Sequence, residues 1–146
     1  MAEKRMFSVK ILESDAFMEM PPSAQMLYVH LCMNADDDGF VNNPKKVQRS
    51  CGSSDEDLKI LEDNRFIIVF PSKIIVIKHW RIHNYIPPDR YKPSCYEEEK
   101  KQIGVKSNGS YTTDKSKMVS PVTGNPKKKS YSGNDGEEFQ RNLRIY

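Results

Sequence analysis

Residues 43–80 read NPKKVQRSCGSSDEDLKILEDNRFIIVFPSKIIVIKHW, and the fold turns on this stretch. Asn43 followed by Pro44 predicts a helix start: the Asn side chain accepts from an orphan amide, and proline's missing N–H is harmless in the first turn. The helix KKVQRSC is short, and Gly52 suits its C-terminal cap. Ser53 and Glu56 then stand at the S-x-x-E spacing of a capping box, opening a second helix whose Leu58, Leu61 and Phe66 face inward. The two helices meet in a tight turn at residues 51–54. FIIVF and IIVIKHW, separated by PSK, predict a β-hairpin whose return strand ends at residues 78–80.

Working toward the N-terminus, Ser14 or Asp15 caps a short helix that stops at the prolines of MEMPPS. The next helix starts near Ser23, and its Ala24, Leu27, Tyr28 and Leu31 recur at i, i+3, i+4 and i+7, so they share a buried face. NADDDGFV closes that helix with Gly39 in the turn, and Phe40 and Val41 have strand character, suited to pairing with the hairpin. The resulting order is helix, helix, short strand, helix, tight turn, helix, hairpin. It predicts an α+β fold, a winged helix-turn-helix with the hairpin as wing; an α+β domain with no nucleic-acid role shares the same local elements.

At 146 residues the chain supports one core. Apolar periodicity fades after Ile86, which divides the chain into a winged domain at residues 1–86, a basic and aromatic exit segment at 87–103 and a polar tail at 104–146. The tail is mostly Gly, Ser, Thr, Asn, Pro and charge, and is expected to be disordered because it buries too little apolar area to offset ordering its backbone. Within it, Lys127, Lys128 and Lys129 read as a solvated patch, and FQRNLRIY is a candidate partner-docking segment. Residues 1–86 carry eleven Lys or Arg against twelve Asp or Glu, whereas residues 87–146 carry twelve against eight, so the excess positive charge lies in the C-terminal part. Cys32, Cys51 and Cys95 are an odd number at wide spacing, and MAEKRMFSVK is charged rather than apolar; both point to a reduced, cytoplasmic protein. No run approaches the roughly 18 apolar residues of a membrane span.

Several chemistries find little support. Residues 34–39 imitate the start of a calcium loop, but its twelfth position is Lys45, where a bidentate Glu belongs. His79 and His83 are four residues apart, yet at a strand end that spacing places no shared face, and no fourth ligand follows Cys95; neither a metal nor a cofactor is expected. No P-loop, G-x-S-x-G or G-x-G-x-x-G occurs. The carboxylates at 36–38 and 97–99 lie in polar sequence and are expected to stay solvated, away from the apolar settings that tune catalytic acids. The chain does not read as an enzyme.

Basic residues interleaved with aromatics are the remaining signal. Lys45, Lys46 and Arg49 lie on the first helix of the turn motif, Lys73 at the hairpin tip, and Lys78, Arg81, Arg90 and Lys92 after it, among Trp80, Tyr85 and Tyr91. Such groups neutralise phosphates and release counterions. Trp80 itself reads as core. The second helix opens on Ser54, Asp55, Glu56 and Asp57, which suits a helix dipole but opposes DNA phosphates. Contact is therefore expected from the first helix, the wing and residues 81–92, or else Asp55, Glu56 and Asp57 face a protein.

The blocks ADDDGFVNNPKKV, SSDEDLKILEDNRFI, IIVIKHWRIHNYI and DRYKPSCYEEEK, in this order over roughly residues 5–100, resemble the N-terminal domain of phage replisome organisers, the DnaD-like replication initiation proteins of phages and prophages of low-GC Gram-positive bacteria. The resemblance implies a winged-helix domain that recognises a replication origin and helps assemble the host helicase machinery. Members of that family typically carry a further domain for oligomerisation or helicase-loader contact, where this chain has a short polar tail. The leading expectation is a DNA-binding protein of phage replication initiation. The alternatives are a phage protein-interaction module that recruits or inhibits a host protein, such as a defence nuclease or the helicase machinery, and a transcriptional repressor. The partners these readings require are double-stranded DNA, a host helicase loader or other host protein, and, for a repressor, a second copy of the chain.

Overall fold

The computed structural model describes residues 4–122 and is a mixture of helix and strand. Two one-turn helices, α1 (Val9–Leu12) and α2 (Asp15–Met18), lead into α3 (Pro22–Met33). Ser14 caps α2 by accepting from Phe17 N. The face predicted for α3 is buried: Ala24, Leu27, Tyr28 and Leu31 have no exposed surface. Strand β1 (Phe40–Val41) follows, then α4 (Pro44–Cys51) and α5 (Asp55–Asp63), both packed on α3. Asn43 Oδ1 accepts from Lys46 N, and Gly52 ends α4 at φ +69, as the local signals require. The capping box of α5 uses Ser54 and Asp57, one residue beyond the expected pair of Ser53 and Glu56. Ser53 belongs instead to the end of α4, its N–H donating to Gln48 O and its hydroxyl to Ser23 O.

Strands β2 (Ile67–Val69) and β3 (Ile75–Ile77) form the hairpin, and β1 pairs antiparallel with β3, giving the order β1-β3-β2. Register sets Phe40 opposite Val76 and Val41 opposite Ile75. After β3 the chain does not continue as strand: residues 80–83 form the helical turn α6 (Trp80–His83), with His83 N donating to His79 O at 3.1 Å. The reason is packing around Trp80, which is 1% exposed. Its indole N–H donates to Asp37 O at 2.9 Å, and its Cβ and Cγ lie against Gly39, where a side-chain Cβ would approach within 2.7 Å of Cγ. Gly39 also holds φ +94, so glycine is required there twice over.

An aromatic cluster joins α2, α3, the start of the hairpin and α6. Phe17, Tyr28 and Phe66 meet edge to face at 5.4 to 5.6 Å, and His83 completes the set at 5.8 Å from Tyr28. His83 Nδ1 accepts from Ser8 N at 2.8 Å, so in the neutral ring Nε2 carries the proton and donates to Tyr28 Oη at 2.7 Å. Burial holds this imidazole down at about 4 and that of His79 at about 3.

Residues 104–122 depart from the expected disordered tail. After α7 (Glu97–Lys100), the strands β4 (Gly104–Val105), β5 (Tyr111–Thr112) and β6 (Ser120–Pro121) form a second antiparallel sheet, order β5-β4-β6. Ile103, Val105, Tyr111 and Val122 are buried in the same core as the helices. Tyr111 anchors the unit, its N–H on Lys78 O at 2.9 Å and its hydroxyl on Asp38 O at 2.8 Å. Residues 104–122 have too few apolar side chains for a core of their own; Val105, Tyr111 and Val122 instead join, with Ile103, a core that already exists. The expectations for Lys127, Lys128, Lys129 and FQRNLRIY fall outside the described residues. No described helix is long and apolar enough to cross a membrane.

Candidate nucleic-acid interface

The eight cations singled out in the sequence separate into distinct places. Lys45, Lys46 and Arg49 project from α4 and are exposed. Lys45 Nζ is paired at 2.9 Å with Asp55, whose carboxylate also accepts from Gln48 Nε2 at 2.8 Å. These partners, Gln48 first and then Lys45, hold the Asp55 carboxyl below its ordinary range. The acidic start of α5 thus neutralises one cation of α4 and leaves Lys46 and Arg49 as its open charges. Asp57 is buried, accepting from Ser54 N and Ser23 Oγ, so of the acidic trio Asp55 is partnered, Asp57 is internal and Glu56 is exposed.

Lys73 sits at the hairpin tip at φ +74, in a loop closed by Phe70 N on Ile74 O and Lys73 N on Phe70 O. The neighbouring Ser72 hydroxyl donates to Glu99 of α7, so the tip is braced rather than free. Lys78 lies at the opposite end of β3, roughly 15 Å away at strand rise. It is half-buried, and burial, then Lys106, Arg65 and Lys117, pushes its pKa down. Arg81 is half-buried beside Asp37, Asp38, Trp80, Tyr91 and Tyr111.

Arg90 and Lys92 border a groove of about 890 Å³ between residues 4–6 and the exit segment, together with Tyr85 and Tyr96. The exit segment is not loose. The carboxylates at 36–38, expected to be solvated, organise it. Asp38 is 2% exposed and accepts from Tyr91 Oη at 2.7 and 2.9 Å, Ser94 N at 2.8 Å and Lys100 Nζ at 2.9 Å. Asp37 accepts from Lys92 N at 3.0 Å and pairs with Arg5 at 3.4 Å; the Arg5 guanidinium also lies 5.0 Å from the Trp80 ring centroid. Asp36 accepts from Asp38 N and Phe40 N, and burial raises its pKa against those hydrogen bonds. The calcium-like loop is therefore an internal clamp whose partners in the exit segment and α7 stand 53 to 62 residues along the chain. Nothing in the local pattern of three acids before a glycine identifies such distant donors. Arg65, Lys106 and Lys117 also escaped the sequence reading, the latter two because they lie in the segment taken for a tail.

Among the described residues, no group of three His, Cys, Asp or Glu is placed to hold a metal ion. The arrangement offers exposed cations on α4 and the hairpin, a clamped basic strap and a groove: chemistry suited to holding polyanions. This chain matches no protein-family model, no curated protein and no solved structure.

Proposed function

We propose that this protein is a non-enzymatic, double-stranded-DNA-binding protein built on a winged helix-turn-helix, acting in the cytoplasm of a bacterial host in phage or prophage replication initiation. The observation that carries the reading is the element order α3, β1, α4, α5, β2, β3 with the sheet order β1-β3-β2. In that reading α4 and α5 are the paired helices, β2 and β3 the wing, and β1 its third strand. Lys46 and Arg49 on α4 and Lys73 at the tip supply phosphate contacts, while the carboxylates at the start of α5 discourage base reading by its first turn. The resemblance to the replisome-organiser N-terminal domain supplies the replication role.

Fluorescence anisotropy on a labelled duplex tests the reading. Affinity is expected to fall linearly in log–log form with salt, and the triple change of Lys46, Arg49 and Lys73 to Ala to reduce that slope by about 3 on every sequence. Absence of salt-sensitive duplex binding at low ionic strength would refute it.

A protein-interaction role on the same scaffold is favoured by one observation: α5 presents Glu56 beside an Asp55 that already neutralises Lys45. It predicts that Asp55→Lys with Glu56→Lys abolishes capture of a defined host protein, such as a helicase loader, from nuclease-treated lysate while duplex binding survives.

A further inference from the structure

The geometry points to a phosphate-binding site at the end of the hairpin away from its tip, in which Arg65, Lys78, Lys106 and Lys117 seat consecutive phosphate groups of a nucleic-acid backbone. The nucleic-acid reading above supplies the source of the phosphates; their chemistry follows from the cluster alone.

Four separate chain segments are drawn together here by backbone hydrogen bonds. Lys78 N donates to Phe66 O at 3.1 Å, which sets Arg65 beside the start of β2. Tyr111 N donates to Lys78 O at 2.9 Å and brings in β5. Tyr111 pairs with Val105, so Lys106 follows directly at the end of β4, where its N–H and C=O close the turn with Ser110 and Gly109. Val119 N donates to Val105 O at 2.8 Å, which leaves Lys117 in the 3-10 turn two residues upstream. The second sheet thus delivers two lysines to the foot of the hairpin.

Assembling like charges opposes folding unless carboxylates intervene. Here none of the four takes part in an ion pair among the described residues. Asp114, hydrogen-bonded to Ser116 N and Ser116 Oγ at 3.0 and 2.7 Å, is within electrostatic reach of Lys117 and offsets part of that one charge without pairing with it. Lys78 is half-buried, and the neighbours that perturb it are Lys106, Arg65 and Lys117. Arg65 adds an independent sign. It follows α5 at φ +63, a conformation in which glycine is favoured, yet a five-donor guanidinium occupies it. By contrast, the α4 cations include one already matched to a carboxylate. A polyanion would relieve the repulsion at the foot of the hairpin, and each neutralised phosphate releases counterions.

The test uses the full chain and two probes, inorganic polyphosphate and a labelled DNA duplex, each titrated over a range of salt. Lys106→Gln with Lys117→Gln is expected to weaken both and to lower the duplex salt slope by about 2. Arg65→Gly, which suits the backbone and so preserves or raises the unfolding midpoint, is expected to lower it by about 1. Wild-type slopes in the Arg65→Gly variant and in the folded double variant would overturn the site while leaving DNA binding through α4 standing. Failure of polyphosphate to bind the unaltered protein at low ionic strength would overturn it as well. Polyphosphate binding that is lost in the variants, with no duplex binding at all, would keep the site and refute the DNA reading.

Discussion

Replacing Asp38 by Asn isolates the charge that holds the exit segment, because the side chain keeps its shape. In the folded protein its carboxylate side chain is 3% exposed, and the Lys100 side chain is 17% exposed. Asn presents one acceptor and one donor group where two acceptors received Tyr91 Oη, Ser94 N and Lys100 Nζ. All three donors reach Oδ2 and only Tyr91 Oη also reaches Oδ1, so Asn with its oxygen at the Oδ2 position sets its N–H₂ against the Tyr91 hydroxyl, and what is lost is the charge that faces Lys100 and strengthens each of these bonds. Hydrogen bonds to a charged group contribute about 1.5 to 3 kcal/mol each, and breaking a buried ion pair from one side costs about 3 to 5 kcal/mol. Lys100 can turn partly to water, so the lower figure applies: about 3 kcal/mol, or on the order of 10 °C in midpoint for a chain of this size. Urea unfolding gives the energy, and hydrogen exchange at the Ser94 amide shows where it is lost. Lys100→Met leaves Asp38 its neutral donors and is expected to cost about 2 kcal/mol, with a coupling of about 1 to 2 kcal/mol in the double variant. An Asp38→Asn protein with an unchanged urea midpoint and a protected Ser94 amide would refute the clamp.

The buried imidazoles predict acid sensitivity. Unfolded His79 and His83 protonate below about 6.5, whereas the folded rings stay neutral down to about 3 and 4, so the unfolded state binds more protons in that interval and stability falls with pH. Above pH 6.5 neither ring contributes; below it, each pH unit removes about 1.4 kcal/mol per ring until its folded value is reached, and urea midpoints that stay flat between pH 6.5 and 5 would exclude this. Gly39→Ala should destabilise by about 2 to 4 kcal/mol, through positive φ and collision with Trp80, and shift the emission of the single tryptophan; wild-type emission with an unchanged midpoint would contradict it. Asp55→Asn releases Lys45 and is expected to raise duplex affinity and steepen its salt slope by up to about 1, and an unchanged slope would show that Lys45 faces away from the DNA.

Elements whose signals act over a few residues were legible in the sequence. Asn43 and Pro44 start a helix, Gly52 ends it, α3 buries its periodic face, and two apolar runs around residues 71–73 pair as a hairpin. Each depends on a cap, a turn or a period within one or two turns of chain. The capping box slipped by one residue because Ser53 and Ser54 offer the same hydroxyl, and only the close of α4 on Ser53 N decides between them. The turn at Trp80 was missed because no Gly, Pro or capping residue marks the end of the apolar run at residues 78–80, while the indole must reach Asp37 O across Gly39.

The candidate site was legible in its residue types but not in its grouping. Composition marked Lys45, Lys46, Arg49, Lys73, Lys78, Arg81, Arg90 and Lys92 as cations available to phosphate. Which of them share a surface depends on chain crossings that no local pattern records. Lys45 is matched by Asp55 from the next helix, Lys92 is tied by its backbone to Asp37, and Lys78 gains Lys106 and Lys117 from a sheet without a core of its own. The sequence by itself determined both ends of α4, the buried period of α3 and the hairpin, because these are set by neighbours whose separation the backbone fixes. Tertiary structure alone decided the Asp38 clamp, the second sheet and the four-cation cluster, because burial and charge act through space on groups that lie dozens of residues apart along the chain.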